Sequence, residues 1–172
     1  MQPLARFALV FALSAAACRT SSTPRVVEAD PAQRAQLLGA VSALQGRWVM
    51  DGPEGPSYIE FALTANGSAV RETMFPGMPQ EMTNMYALDG NSLVMTHYCA
   101  GGNQPRMRAE ELVDGRLEFR SDGVGDFKAP DEPYMGAMTL VLLDADTIEE
   151  RWTAFNQVEA GHSPAFTLKR VK

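Results

Sequence analysis

Turn signals at regular spacing after Gly46 constrain the fold more than any other feature of the sequence. Asn66-Gly67, Asp89-Gly90 and Asp114-Gly115 each lie between segments in which apolar and polar residues alternate. These dipeptides adopt the positive φ angles of two-residue hairpin turns, so each predicts a pair of antiparallel strands. Asp144-Ala145-Asp146 is a weaker fourth signal. Because successive hairpins pair each strand with its sequence neighbour, the pattern favours an up-and-down barrel over a Greek-key sandwich.

The turn spacing divides the chain into about ten short strands with one long connection. Residues 121–133 contain two Gly and two Pro and are predicted to be the long loop and a candidate lid. The predicted strands are 46–51, 57–64, 68–75, 81–88, 92–99, 105–113, 116–120, 137–143, 147–155 and 164–171.

One short amphipathic helix is predicted before the first strand. Asp30 is a typical N-cap, Pro31 suits the first helical position, and Leu37, Val41 and Leu44 recur at helical spacing up to Gln45. Gly46 then ends the helical pattern. Residues 31–172 are therefore predicted to form one all-β domain, an antiparallel barrel with a single N-terminal helix.

The first residues have the layout of an export signal. A short basic start at Arg6 precedes an apolar run over residues 7–17, which is too short to span a membrane as a helix. Residues 14–18, Ser-Ala-Ala-Ala-Cys, resemble a bacterial lipoprotein cleavage box, although Ala15 stands where Leu is usual. The sequence thus predicts a signal peptide over 1–17 and lipidation of Cys18.

Plain cleavage after Ala17 is the alternative, because Ala15-x-Ala17 also satisfies the rule for secretory signals. In that case Cys18 and Cys99 could form a disulfide in an oxidising compartment. Residues 18–30 are predicted to be a flexible tether in both cases. The expected location is the bacterial cell envelope, as an outer-membrane lipoprotein or a periplasmic protein, with membrane contact only through a lipid on Cys18.

The charge balance excludes one class of partner. The chain has 15 Lys and Arg residues against 21 Asp and Glu residues, a formal charge of −6, and no basic run. Nucleic-acid binders need a basic surface that displaces counterions, so nucleic acid is not an expected partner.

A short motif resembles the lipocalins and their barrel relatives. Gly46-Arg47-Trp48 opens the first strand directly after the helix, like the Gly-x-Trp element of that superfamily. In lipocalins a basic residue on the last strand packs over this Trp, and Arg170 occupies the corresponding place. The run from Thr96 to Arg108 is also similar to a set of exported bacterial proteins of lipocalin-like type. The resemblance implies a barrel and supplies no activity.

The predicted hairpin registers assign side chains to the barrel interior, since a two-residue loop sets the pairing and the pleat sets the faces. Across Asn66-Gly67, Phe61 pairs with Glu72, which places that carboxylate inside. In the last hairpin Val141 and Leu143 are expected to point inward. The other residues expected on inward faces are Asn84, Tyr86, His97, Cys99, Arg106, Arg108, Glu110, Glu150 and Trp152.

Arg106 and Arg108 are the predicted core of a binding site. Two inward arginines at positions i and i+2 could clamp a carboxylate or phosphate. The alternative is that they pair with Glu110 and Glu72 and only close the barrel. The expected function is a cell-envelope protein that binds a small hydrophobic, amphipathic or acidic molecule inside the barrel. The candidate ligand-binding residues are Arg106, Arg108, Glu110, His97, Cys99, Glu72, Glu150, Tyr86 and Trp152.

Two other functions remain open at this point. One is an enzyme that uses His97 as general base with Glu110 or Glu72, and the other is a filled structural barrel. His97 and Cys99 lie two residues apart, but two ligands do not make a zinc site. His97 could also serve as an axial haem ligand inside a barrel, with Met95 and Tyr86 nearby. No cofactor and no metal are predicted.

Overall fold

The computed structural model describes residues 29–53, 55–155 and 164–172. Over these residues the chain is a closed ten-stranded antiparallel barrel with one short helix, as predicted. An eleventh strand of two residues pairs with one strand of the ring and is not counted among the ten. The predicted signal peptide, most of the tether, Cys18 and His162 lie outside the described residues. The elements are α1 (Pro31–Ser42), β1 (Gly46–Gly52), β2 (Gly55–Thr64), β3 (Ala69–Met74), β4 (Met82–Asp89), β5 (Ser92–Tyr98), β6 (Gln104–Ala109), β7 (Leu112–Val113), β8 (Arg116–Gly125), β9 (Tyr134–Leu142), β10 (Thr147–Phe155) and β11 (Ala165–Arg170).

The strands follow one another around the barrel in sequence order. Each pairs with its neighbours in the chain, except that β6 pairs directly with β8 while the two-residue β7 lies against the start of β8. The first and last strands, β1 and β11, pair antiparallel and close the ring. This arrangement is the up-and-down topology that the hairpin signals predicted.

Helix α1 covers one end of the barrel. The Asp30 carboxylate accepts a hydrogen bond from the Ala32 N–H at 2.8 Å and caps the helix. Leu37, Val41 and Leu44 are buried, as the helical spacing predicted. The Gln33 and Arg34 side chains donate to backbone carbonyls in the β4–β5 turn. The opposite end, here called the mouth, is bordered by the β3–β4, β5–β6 and β8–β9 loops.

Trp48 and Arg170 face each other where the barrel closes. They are cross-strand partners, and the Arg170 guanidinium lies 4.3 Å from the centroid of the fully buried Trp48 ring. The guanidinium donates to the Gln45 carbonyl at 2.7 Å and to the Ala43 carbonyl at 3.1 Å. Gly46 adopts φ +122 with Arg170 close by, a conformation that favours glycine. Arg170 therefore joins the last strand, the first strand and the end of α1.

The inward faces of the first two hairpins are as predicted. Phe61 pairs with Glu72, and Ile59 with Met74. In the second hairpin the turn residues are Gly90 and Asn91 instead of Asp89 and Gly90, because Asp89 pairs with Ser92. The shift moves each cross-strand partner by two positions, so the same side chains of β4 and β5 still point inward.

The predicted strand 105–113 is wrong as a single strand, and so is its inward face. Leu112 pairs with Leu117, whereas Arg108 pairs with Arg120. Three residues, 109–111, therefore lie opposite two, 118–119, which is the count of a β-bulge. A one-residue slip exchanges the two faces of a strand, so Arg106 and Arg108 point outward while Met107 is buried.

The last hairpin and the long loop also differ from the prediction. Leu142 pairs with Ile148, so the turn is longer than two residues and Leu143 is exposed. Val141 is buried but lies outside the core cluster. The predicted loop 121–133 shortens to 126–133, because β8 continues to Gly125.

We expect Arg170→Ala to lower the free energy of unfolding by about 2–4 kcal/mol, because it removes hydrogen bonds from a charged donor and the contact with Trp48. Urea denaturation measures the effect. Lys172→Ala removes the same charge from an exposed side chain and is expected to change stability by less than about 0.5 kcal/mol. If both variants lose the same free energy of unfolding, the loss comes from the change in net charge and not from the contacts of Arg170.

Candidate functional site

A layer of buried polar side chains crosses the barrel interior near the mouth. Glu72, Asn84 and His97 are consecutive cross-strand partners on β3, β4 and β5, and Glu150 projects inward from β10. None of the four is more than 2% exposed. The layer lies one or two residues from the mouth ends of β3, β4 and β5. We call these four residues, with Tyr86 and Trp152, the polar layer.

Hydrogen bonds link the members of the polar layer. Glu72 Oε2 accepts from Asn84 Nδ2 at 2.8 Å and from the Tyr86 hydroxyl at 2.6 Å. Asn84 Oδ1 lies 2.6 Å from His97 Nδ1. Trp152 Nε1 donates to Glu150 Oε2 at 3.1 Å, and the His97 and Trp152 rings are 5.0 Å apart between centroids.

The tautomer of His97 follows from these contacts. The amide nitrogen of Asn84 donates to Glu72, so its oxygen faces His97 and needs a donor. Nδ1 therefore carries the imidazole proton, and Nε2 keeps a lone pair. The two ring nitrogens lie on opposite sides of the imidazole, so this lone pair points away from Asn84.

The two carboxyl groups have altered acidity. Burial raises the pKa of Glu72, against hydrogen bonds with Asn84, Tyr86 and Glu150 that lower it. Burial also raises the pKa of Glu150 well above its usual range, and the charge of Glu72 raises it further. The cause is desolvation, which penalises the charged form of each acid. The pair therefore retains protons at pH values at which exposed glutamates are ionised.

His97 and Tyr86 are neutral in this environment. Burial lowers the pKa of His97 to about 4, because desolvation penalises the charged imidazolium. Burial and the two nearby glutamates raise the pKa of Tyr86 well above its usual value. Near neutral pH the layer therefore presents a neutral imidazole, a neutral phenol and a carboxyl pair.

One layer of flexible side chains separates the polar layer from the mouth. Met74 is the next inward residue after Glu72 on β3, and Met82 is the inward residue before Asn84 on β4. Met74 Sδ lies 3.6 Å from Asn84 Nδ2. Phe75 and Phe166 form an edge-to-face pair at 6.4 Å beside them. Methionine side chains adapt to different shapes, so this layer can rearrange more easily than a packed aliphatic core.

The mouth loops are tied to one another. Asn103 in the β5–β6 loop is buried, and its Nδ2 donates to Glu132 Oε1 at 2.9 Å and to the Pro133 carbonyl at 3.0 Å. Glu132 Oε2 accepts from the Lys128 N–H. These bonds hold the β5–β6 and β8–β9 loops together at the rim.

Arg106 and Arg108 lie on the outer surface, so the prediction of an internal arginine clamp is wrong. Both pair with Asp89, at 3.0 and 2.6 Å, and both pair with Asp122, at 3.2 Å each. The hydrogen bond from Arg108 lowers the pKa of Asp89. The bulge between β6 and β7 is the physical reason for the outward direction. The arginines thus bind two carboxylates of the chain itself.

Two further predicted site residues lie away from the polar layer. Glu110 is exposed, and its carbonyl accepts a hydrogen bond from Gln33 of α1, so it is at the closed end and cannot assist His97. Cys99 follows β5 in a loop, and its Sγ accepts a hydrogen bond from the Gly101 N–H. The prediction of Glu110 as an inward residue is therefore wrong.

The structure brings together five of the predicted residues, Glu72, Tyr86, His97, Glu150 and Trp152. The residue that sequence reasoning left out of the site is Asn84, which connects Glu72 to His97. Its signal was present, because the predicted register already placed it on the inward face of β4. Asn103 at the rim was also missed, and no local pattern marks it.

Within residues 29–53, 55–155 and 164–172, no group of three or more His, Cys, Asp or Glu side chains is arranged to hold a metal ion. Among the helices of these same residues, none is long and apolar enough to cross a membrane.

Comparison with known proteins supports the fold and supplies no family. No protein-family model matches the chain. No curated protein matches it either. Among solved structures, the crystal structure of Rv2717c from M. tuberculosis is similar, with a TM-score of 0.55 and 14% sequence identity over 84% of this chain and 100% of that chain. At this identity the likeness shows a shared barrel fold only.

We expect Glu150→Gln to stabilise the protein increasingly as the pH rises from about 5 to 8, reaching about 1–2 kcal/mol. A raised carboxyl pKa gives stability that is full below the unfolded-state pKa and is lost as pH rises through the folded-state pKa. The amide side chain of the variant does not ionise, so the variant does not lose this stability as the pH rises. Urea denaturation at several pH values measures the difference.

The matched control is Glu118→Gln, which neutralises an exposed carboxylate on the outer face. It is expected to change stability by less than about 0.5 kcal/mol at every pH. A difference between Glu150→Gln and the wild type that does not vary with pH would contradict the retained proton.

Proposed function

We propose that the chain is an exported lipocalin-like barrel of the bacterial cell envelope that binds a small amphipathic molecule. The polar head of the ligand would lie in the polar layer, and its apolar part would extend toward the mouth. One observation carries the proposal. Within the described residues, His97 Nε2 is buried without a hydrogen-bond partner, and Glu72 Oε1 and Glu150 Oε1 have no donor except the proton that the two carboxyl groups share.

Buried polar atoms without a hydrogen-bond partner lower the stability of a protein, and a barrel that serves only as a structural element gains nothing from them. Each buried acceptor that lacks a donor destabilises the folded state by about 1–3 kcal/mol, and apolar residues of similar size would avoid that loss. A ligand with several donors would supply the one that His97 Nε2 lacks and would replace the proton that otherwise stays between the two buried carboxyl groups. A filled structural barrel would leave them without a role.

The position of the polar layer suits an amphipathic ligand. The layer lies beneath Met74 and Met82, which can move, and beside the Phe75 and Phe166 pair. A ligand that displaces these side chains would place its apolar part against apolar and aromatic groups. The remainder of the interior, from Trp48 to α1, is already filled by the protein's own side chains.

A catalytic role for His97 has weaker support. A general base is usually oriented by a carboxylate that stabilises its protonated form, whereas His97 Nδ1 contacts the neutral amide of Asn84. Its pKa is lowered to about 4, so it binds a proton poorly near neutral pH. Its Nε2 lone pair is better suited to accepting a hydrogen bond from a ligand.

The lipocalin-like assignment rests on the geometry at the barrel closure. Arg170 packs over Trp48, and Gly46 precedes that strand, as the resemblance implies. The proposed export and envelope location rest on the signal-like residues 1–17 and Cys18.

We expect native mass spectrometry of the full chain, purified without denaturant from an envelope extract of the cells that make it, to show a co-purifying small molecule. His97→Leu removes one acceptor at similar volume and is expected to lower occupancy at least about tenfold, or 1.4 kcal/mol. The Arg106→Ala/Arg108→Ala double variant changes only the outer surface and is expected to keep the ligand. An empty wild-type mass, or equal occupancy in all three proteins, would refute internal binding.

We expect Cys18 to carry a lipid. Cells that express the full chain and are fed a clickable palmitate analogue should label the wild type and Cys99→Ser, but not Cys18→Ser. Intact mass spectrometry should place the mature N-terminus at Cys18. An unmodified N-terminus beyond Cys18 would disprove the anchor and leave a freely soluble exported protein.

A further inference from the structure

We infer that the polar head accepted by this barrel is a primary ammonium group, so that the ligand is an amphipathic amine. The inference rests on the proposed function, because it identifies the chemistry of the same site. Three features of the polar layer carry it: the sign of its titratable groups, its balance of donors and acceptors, and the aromatic rings beside it.

Near neutral pH none of the titratable groups that face the layer is positive, and only the two glutamates can become negative. The groups are Glu72 on β3, Tyr86 on β4, His97 on β5 and Glu150 on β10. No Lys or Arg belongs to the buried side chains of the described residues, and the arginines of β6 point outward. A ligand carboxylate would therefore meet two carboxyl groups and no cation. An ammonium group meets its natural counter-ions.

The hydrogen-bonding capacity of the layer is unbalanced in the same direction. The donors on Asn84, Tyr86 and Trp152 are already bonded to carboxyl oxygens. His97 Nε2 is an acceptor without a partner, and one oxygen on each glutamate has no donor except the proton that the two carboxyl groups share. A primary ammonium group has three N–H donors and no acceptor. Once the shared proton has left, these three donors match three acceptors: the two glutamate oxygens and His97 Nε2.

Aromatic rings complete the surroundings of this site. The Trp152 indole donates a hydrogen bond to Glu150, and its ring packs against the His97 ring. The Tyr86 hydroxyl donates a hydrogen bond to Glu72, and its ring packs against Phe119. Indole and phenol rings attract cations through their electron-rich faces, and this attraction strengthens where water is excluded. The same rings give an anion no such contact.

Proton balance makes the inference measurable. Without a ligand the carboxyl pair retains a proton, since two adjacent buried carboxylates repel each other. An alkylammonium ion that enters the pair replaces this proton: the carboxyl O–H bond breaks, the proton passes to the buffer base, and no other covalent bond changes. Binding of the amine therefore releases about one proton near neutral pH, and its affinity rises with pH by up to about tenfold per unit.

Isothermal titration calorimetry of the full chain with hexylamine, hexanol and hexanoate tests the assignment. These probes share one apolar tail and differ only in the head. We expect hexylamine to bind at least about tenfold more tightly than hexanol, and hexanoate to bind more weakly than both. In buffers of different ionisation enthalpy, the heat of hexylamine binding should reveal the release of a proton.

Variants separate the polar layer from the acidic surface. Glu72→Gln and Glu150→Gln are each expected to weaken hexylamine binding at least about tenfold, to abolish proton release and to weaken hexanol binding less than hexylamine binding. Glu118→Gln removes an exposed carboxylate and should leave hexylamine binding as in the wild type. Near-ultraviolet circular dichroism checks that each variant is folded.

The outcomes distinguish this inference from the proposed function. Hexanol or hexanoate binding as tight as hexylamine would overturn the ammonium assignment and leave the binding barrel in place. Hexylamine binding that both glutamine variants retain would place the amine outside the polar layer and overturn the assignment too. If none of the probes binds, the assignment fails, and an empty native mass would then also remove the binding function.

Discussion

Closure of the sheet between β1 and β11 is the constraint on which the rest of the structure depends. Trp48 and Arg170 make this contact, and the same guanidinium bonds carbonyls beyond α1, so one side chain secures the seam and the closed end. Closure removes the sheet edges and separates the interior from water. Only in that interior do Glu72 and Glu150 lose hydration, so their raised pKa values follow from closure.

The barrel is divided into two parts with different physical roles. The part toward α1 is packed with apolar side chains such as Leu37, Trp48 and Leu93, which stabilise the fold by removing apolar surface from water. The part toward the mouth contains the polar layer, where burial opposes stability. A protein that retains such a layer gives up some stability for a chemically specific interior, and that exchange is typical of binding sites.

The sequence predicted much of the fold and part of the site. Turn dipeptides act over two residues, so the pairing of Phe61 with Glu72 and the inward direction of His97 could be predicted correctly. The direction of Arg106 and Arg108 could not, because the register was predicted from the Asp114-Gly115 turn and the extra residue at 109–111 reverses every side chain of the strand beyond it. Asn84 was placed on the correct face, but its role depends on contacts with two other strands.

Local interactions determined what the sequence alone could establish: the cap of α1, the alternation of the strands and the hairpin order. These depend on residues a few positions apart. Tertiary structure decided which strands close the ring, where the bulge falls and which acceptors remain unpartnered. Those outcomes depend on distances between residues far apart in the chain and on the desolvation that only the closed barrel imposes.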